Sequence, residues 1–421
     1  MPSPAQELYV DNLSPTAEQS GTPYVFRRAL RFFYIQAFSY DFIFGYAIFP
    51  AYFQLQGTSP EIIGAILAFW AAGIIVFEIP AGLLADLVDR RLLLILSPVA
   101  KATCFVIWIF ADGDVLLYFV GMAFWSLASA LRTGTKEALL FDLVHTYGQA
   151  SRYTAIVGRE RALQEAATLL GAALGGLVVA IDLKLAFWTS LIPLGVCMIA
   201  AGLVHDPRGR PEVSEHVPLK QVPHLLRSTW QEFVTVPEAR HLTLYVALCV
   251  TFLTTIEDFN QLFMLAVGTP VWLIGLIVGA IGVARLTLAY HAHWFERFPA
   301  ITWSAPLVSG LALIASGFLP PIFALLAMAG AFILVAPLLV LTTSRFQKAL
   351  GGASRATTTS VMSAIIEGLS VVFNIAIAVL LSQLDVLQTY QAGGIYLVIF
   401  AAWEITQARR PGSAARTANA P

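Results

Sequence analysis

A run of about twenty apolar residues has no water to satisfy its backbone inside hydrocarbon, so it crosses a membrane as a helix. This chain contains one such run after another. The expected spans are 29–52, 62–84, 92–111, 115–140, 162–181 and 186–204. After a polar stretch come 242–267, 271–291, 301–319, 322–343, 357–381 and 389–405. The composition is 58% hydrophobic and only 12% charged. A soluble domain carries roughly twice that charged fraction. With a mean hydropathy of +0.75, the expected fold class is an all-α membrane protein with twelve transmembrane helices in two six-helix bundles.

The polar stretch divides the chain. Residues 205–240 hold Pro207, Pro211, Pro218, Pro223 and Pro237 and read as a cytoplasmic linker, with an amphipathic surface helix over 219–233. The expected organisation is a cytoplasmic N-terminal segment (1–28), an N-terminal bundle (29–204), the linker (205–240), a C-terminal bundle (241–406) and a disordered cytoplasmic tail (407–421). The N-terminal segment lacks a basic stretch followed by an apolar run, so no cleaved signal peptide is expected. Lys and Arg concentrate at alternate loops: Arg27, Arg28 and Arg31, then Arg90 and Arg91, then Arg152, Arg159 and Arg161, then the linker. Lys184 is the one basic residue in the short intervening loops. This alternation places both termini and the linker in the cytoplasm of a cell bounded by an inner membrane, and it requires an even number of spans.

Other chemistry finds little support. The net charge of −1 identifies no partner. Cys104, Cys197 and Cys249 lie inside apolar runs without metal-ligand spacing and read as buried thiols. The seven histidines lie in loops or at span ends, and no metal site is expected. No Gly-rich loop carries the lysine an ATPase needs. Basic residues follow topology, so nucleic-acid binding is not indicated. No nucleophile–base pair is visible, so the chain is not expected to be an enzyme or to need a cofactor.

The stretch Gly82-Leu83-Leu84-Ala85-Asp86-Leu87-Val88-Asp89-Arg90-Arg91 marks a tight turn between spans two and three. Gly82 is expected to permit close helix approach, Asp86 to sit at the helix end, and Arg90 and Arg91 to hold the loop in the cytoplasm. The stretch resembles the loop between helices 2 and 3 of the major facilitator superfamily, G-x-L-A-D-R-x-G-R-K. Gly82, Leu84, Ala85, Asp86 and Arg90 match, and Arg91 keeps the final charge. Leu87 and Asp89 depart from it. Phe77-Glu78-Ile79-Pro80-Ala81-Gly82 is similar to the end of helix 2 in many members. Residues 133–142 resemble S-G-T-D-E-A-L-L-Y-D of a bacterial, drug-efflux-like subgroup, with Lys136 in place of an acid, and Arg355-Ala356-Thr357 resembles a recurring R-A-T there. Residues 170–176 resemble the Gly-rich helix 5 motif of antiporters, without its proline and with the last glycines out of register.

The resemblance implies two pseudo-symmetric halves, a substrate site between them near the midplane, and alternating access. It also implies a gating role for Gly82, Asp86, Arg90 and Arg91.

Polar groups inside the spans mark where that site lies. A charged side chain at a helix centre costs roughly 2.5–3.5 kcal/mol on insertion scales, so it tends to face a cavity or a partner. Asp41 lies mid-span, with Tyr34 seven residues earlier on the same face. It reads as a protonatable carboxylate, the alternative being a structural salt bridge. Span four carries Arg132, Lys136 and Glu137, with Glu137 a nearby partner for the two cations. Lys101, in span three, needs a counter-ion, and Asp41 is one candidate. Span seven aligns Asp258 and Gln261 on one stripe, and span eleven aligns Glu367 and Asn374. Both stripes are expected to line water, with interhelix hydrogen bonding the alternative. Arg285 is a candidate counter-ion for either acid. Phe42, Phe44, Tyr46, Trp70 and Trp125 are candidate wall residues.

The expected function is a secondary transporter of a small organic molecule, driven by protons through at least one of Asp41, Glu137 and Glu367. Export of a lipophilic or cationic compound leads. Uptake of an anionic metabolite, motivated by Arg132 and Lys136, and a non-transporting receptor are the alternatives. The expected partners are the small-molecule substrate, protons and membrane lipids, with the chain a monomer.

Overall fold

The computed structural model describes residues 23–207, 237–298, 300–349 and 355–408. The surface helix expected over 219–233 and the tail beyond 408 lie outside the described residues. Every regular element among the described residues is helical. In the first half these are α1 (Pro23–Asp41), α2 (Phe49–Leu55), α3 (Pro60–Leu87), α4 (Arg90–Ala111), α5 (Val115–Arg132), α6 (Thr135–Thr146), α7 (Tyr153–Val179) and α8 (Leu185–Leu203). In the second half they are α9 (Pro237–Tyr245), α10 (Thr251–Glu257), α11 (Asn260–Ala266), α12 (Val271–Tyr290), α13 (Ile301–Ser316), α14 (Pro321–Ile333), α15 (Val335–Ala349), α16 (Arg355–Leu381) and α17 (Val386–Ala408). A π-helical turn, Val246–Val250, joins α9 to α10.

Local chemistry sets several of these ends. Pro60 opens α3, where its missing N–H costs nothing. The carboxylates of Asp89 and Asp114 cap α4 and α5 by accepting the amides of Arg91 and Leu116, each at 2.9 Å. Gly134, at φ +71°, turns the chain between α5 and α6.

The stretches expected as spans lie on these helices, two of them interrupted, and the count of twelve is met only in part. Among the described residues, seven helical segments are each long and apolar enough to cross a membrane, and an eighth arises when the bent α9–α11 stretch is taken as one span. The remainder fall short for visible reasons. α1 carries Arg27, Arg28 and Arg31, and α13 has only 16 residues. Large apolar side chains such as Phe110, Ile192, Ile199, Phe323 and Ile399 are exposed. In water they would form an aggregating surface, whereas lipid covers them at no cost.

The helices form two bundles. In the first, α4 packs against α5 and α8, α3 against α5, and α1 against α7 and α8. In the second, α13 packs against α17 and α14, α10 against α16, and α12 against α14 and α15. The bundles meet along α7–α12 and α3–α16, with α2 touching α11. Small residues make this seam. A Cβ added to Gly275 would collide with the Ala172 carbonyl oxygen, one at Gly176 would lie 2.5 Å from the Trp272 carbonyl oxygen, and one at Gly64 would lie 2.8 Å from the Ala378 Cβ. All three contacts lie near the starts of α3 and α12 and the ends of α7 and α16, opposite to the end of the molecule where α8 finishes at Leu203 and α9 begins at Pro237. The halves are therefore shut against each other at this remote end. Gly82 was expected to be such a contact but is not, since nothing described lies within 4 Å of where its Cβ would be.

Candidate functional site

Two of the expected continuous spans are broken, and an acid sits at each break. α1 stops at Asp41 and the helix resumes only at Phe49. The gap is stitched from α8: the amides of Phe44 and Gly45 donate to Ser190 Oγ at 3.1 and 3.2 Å. Gly171 of α7 lies against the Ile43 backbone, where a Cβ would come within 2.8 Å of the carbonyl oxygen. In the second half, α10 stops at Glu257, Asp258 caps it, and α11 departs at 53°. The first pass of each half thus ends a half-helix on an acid at the same relative place. Non-helical backbone at membrane depth is tolerated only inside protein or beside a water-filled cavity.

A cavity of 390 Å³ lies between these breaks. Asp41 and Asp258 line it, with Lys101 from α4 and Arg132 from the last turn of α5. A cation at a helix C-terminus meets the negative end of the helix dipole. The apolar wall includes Tyr46, Phe49, Trp70 and Trp125. Tyr46 stacks on Trp125 with centroids 5.2 Å apart, and Phe49 meets Trp125 at 5.3 Å.

The polar groups are arranged around Tyr40. Lys101 Nζ lies 3.3 Å from the Tyr40 ring centroid and Arg132 Cζ 4.1 Å from it, so the ring is flanked by two cations. Lys101 Nζ donates to the Tyr46 hydroxyl at 2.5 Å and the Tyr40 carbonyl at 3.4 Å. Ser97 Oγ donates to the Tyr40 hydroxyl at 3.1 Å. Asp41 Oδ2 accepts from Gln164 Nε2 at 3.1 Å and lies 3.4 Å from Arg132 Nη2. Across the cavity, Arg285 Nη1 contacts both carboxylate oxygens of Glu257, at 2.5 and 2.6 Å. Arg285 is thereby taken by Glu257, and the Asp258 carboxyl has no hydrogen bond or ion pair among the described residues.

A sequence profile described as Major Facilitator Superfamily matches residues 32–375. The chain belongs to the Major Facilitator Superfamily. Solved structures of transporters have the same fold. A mutant of the nucleoside transporter NupG superposes with a TM-score of 0.71 at 12% identity, covering 91% of this chain and 99% of that one. A bacterial homolog of the human lysosomal transporter Spinster, inward-facing and unoccupied, gives 0.70 at 16%, covering 94% and 98%. A D-xylose–proton symporter gives 0.67 at 13%, covering 91% and 97%. No curated protein matches the sequence. At these identities the structural likeness establishes the fold alone. A superfamily member with several apolar spans is a multi-pass membrane transporter.

Of the residues singled out in sequence, the superfamily fold brings Asp41, Lys101, Arg132 and Asp258 to one cavity, along with Tyr46, Trp70 and Trp125. The others lie elsewhere. Tyr34 is half-buried in a separate core cluster, its hydroxyl 3.5 Å from the Ile156 carbonyl. Glu137 is largely exposed and pairs with Arg161 at 3.6 Å, not with Arg132 or Lys136. Lys136 is buried against Glu160 at 2.5 Å, which ties α6 to α7. Gln261 and Asn374 are buried outside the cavity lining, and Asn374 donates to the Ser370 carbonyl at 2.9 Å. Glu367 lies where α16 meets α3, near Glu78 of α3. Phe42 and Phe44 contact each other at 5.1 Å and do not line the cavity.

The superfamily loop between α3 and α4 is held by two ion pairs. Arg90 reaches Asp142 of α6 at 2.5 Å, with both side chains largely buried. Arg91 pairs with Asp89 at 2.7 Å and holds its carboxyl below the usual carboxylate range. The departure at Asp89 thus supplies the cap of α4. Asp86 lies in the last turn of α3, and its side chain is outside the described residues.

Sequence reasoning left Tyr40, Phe49 and Gln164 out of the site. Tyr40 had a visible signal, an aromatic next to a mid-span acid. Gln164 had none, because its role depends on how α7 approaches α1.

Proposed function

We propose that this chain is a proton-coupled secondary transporter that carries a small organic solute by alternating access. One observation carries the proposal. Asp258 faces a shared aromatic cavity from one half, without a cation of its own, while Asp41 faces it from the other, beside a cation. A carboxylate without a counter-ion in such a place is strongly stabilised by a proton, and taking up that proton changes which state of the halves is favoured. Asp258 is the proton carrier and Asp41 orients Arg132. The superfamily loop, through Asp86, Arg90 and Arg91, biases the same equilibrium at the linker end. The protein lies in the inner membrane with both termini in the cytoplasm.

Two cargo readings arose from the sequence: export of a lipophilic or cationic compound, and uptake of an anionic metabolite. The wall of Tyr46, Phe49, Trp70 and Trp125 supports an apolar body in both. Lys101 and Arg132 on the same cavity favour an acidic group on the cargo. Proteoliposomes under an imposed pH gradient, given a pool of small organic anions and lipophilic cations, test the coupling. Wild type should move protons only with substrate. Asp258→Asn should still exchange substrate across the membrane but carry no net protons. Stoichiometric proton movement in that variant would refute the assignment.

A further inference from the structure

Arg132 is an under-satisfied cation. The residue lines the cavity, and its Nε and Nη2 are buried without a hydrogen-bond partner. Nη2 lies 3.4 Å from Asp41 Oδ2, the oxygen that accepts from Gln164 at 3.1 Å. Trp70, which lines the same cavity, also has a buried indole N–H without a partner. Buried donors left unpaired are costly and rare in native structures, so two in one wall call for an acceptor that arrives from outside. Both are donors only, and Arg132 adds a fork that fits a carboxylate bidentately.

The charge balance points the same way. The formal charges of Asp41, Lys101, Arg132 and Asp258 cancel. Lys101 Nζ lies against the Tyr40 ring and donates to the Tyr40 carbonyl. The groups facing Asp258 are Glu257 and Arg285 on its own half, which neutralise each other, and Lys101, Arg132 and Asp41 across the cavity. A monoanion added to this site leaves one net negative charge in a desolvated space, and a proton on Asp258 removes it. A cationic cargo would meet Lys101 and Arg132 and leave the two orphan donors unpaired.

We propose that the cavity takes a monoanionic organic acid with a flat apolar body. The acid group sits on Arg132 and the Trp70 N–H, the body lies against Tyr46, Phe49 and Trp125, and one proton enters with it on Asp258. The proposal rests on the transporter reading for its physiological sense, but its site is testable by binding alone.

The test uses the purified full chain in detergent, titrated calorimetrically with three probes of one skeleton: phenylpropionate, phenylpropylamine and phenylpropanol. The acid should bind about tenfold or more tightly than the amine or the alcohol, the scale of one charge-assisted hydrogen bond. Repeating the titration in buffers of different ionisation enthalpy should show about one proton taken up per acid bound, as the charge balance requires. Arg132→Gln should lower affinity for the acid about tenfold and leave that for the alcohol unchanged. Trp70→Phe keeps the ring and removes the donor, so it reports on the same seat should Arg132→Gln fail to fold, and it should weaken the acid several-fold. Tighter binding of the amine, unchanged acid affinity in the folded variants, or no binding of any probe would overturn the proposal. Flux separates the two claims. Arg132-dependent binding of the acid without flux would sink the transport reading and keep the site. Flux of another cargo with no acid binding would do the reverse.

Discussion

At the scale of single residues, charge pairs inside this protein fall into two kinds. Lys136 and Glu160 are both almost fully buried and meet at 2.5 Å, with no cavity between them. They have a structural role, and removing one partner leaves the other charge stranded in a medium that cannot solvate it. Glu160→Gln should therefore destabilise the folded protein by about 3 kcal/mol. This is measurable as a lower thermal unfolding midpoint in detergent, and an unchanged midpoint would show the pair to be dispensable. Arg132 and Asp41 are the other kind. They stand 3.4 Å apart beside open space, and Arg132 keeps donors unused. Such a pair holds a group in position for a ligand. The same distinction separates Glu257, satisfied by Arg285, from its neighbour Asp258.

At the scale of elements, the glycines of α7 and α12 decide how closely the halves approach. Gly176 and Gly275 lie backbone to backbone, and a side chain at either meets main-chain atoms that cannot rotate away. Gly275→Val should wedge α12 from α7 and disfavour the state in which the end remote from the linker is closed. A single cysteine placed in the cavity wall should then label faster from that side of the membrane than it does in the parent, and equal labelling would argue against the seam as a gate. The breaks in the first pass of each half belong to this scale too. Ser190 supplies the hydrogen bonds that helix continuity would otherwise provide to Phe44 and Gly45, so an acid can sit at a half-helix end and face a cavity.

At the scale of the whole molecule, the proposed alternating access requires α3 and α16 to part at the remote end in one half of the cycle. Gly64 and Ala378 are apposed there so closely that a Cβ on Gly64 would fall 2.8 Å from that of Ala378. A small relaxation brings two cysteines to disulfide geometry. The double variant Gly64→Cys, Ala378→Cys should lose transport on oxidation and regain it on reduction. The native Cys104, Cys197 and Cys249 are buried and should not interfere. Full transport by the oxidised double variant would mean that the halves do not separate at this end. The exposed apolar surface of both bundles is covered equally well by lipid however the halves tilt, so the proposed rocking carries no solvation cost there.

Much of this protein is legible in one dimension because a membrane imposes a one-dimensional rule. Backbone polarity, helix length and residue hydropathy are local, so the spans, the two halves and the superfamily loop can be read from runs and spacing. Asp41, Arg132 and Asp258 stand out for the same reason, as charges where a local rule forbids them. Which acid meets which base is not local. The approach of α7 gives Glu137 to Arg161 and Glu160 to Lys136. The packing of α10 on α16 leaves Asn374 bonded to its own helix, and α3 carries Glu78 to Glu367. The break after Asp41 is equally invisible in the sequence, since the amides it frees are met by Ser190, 146 residues along the chain from Phe44. Hydropathy determined that these segments cross the membrane, and tertiary packing alone decided which of their charges were neutralised and which were left facing a cavity.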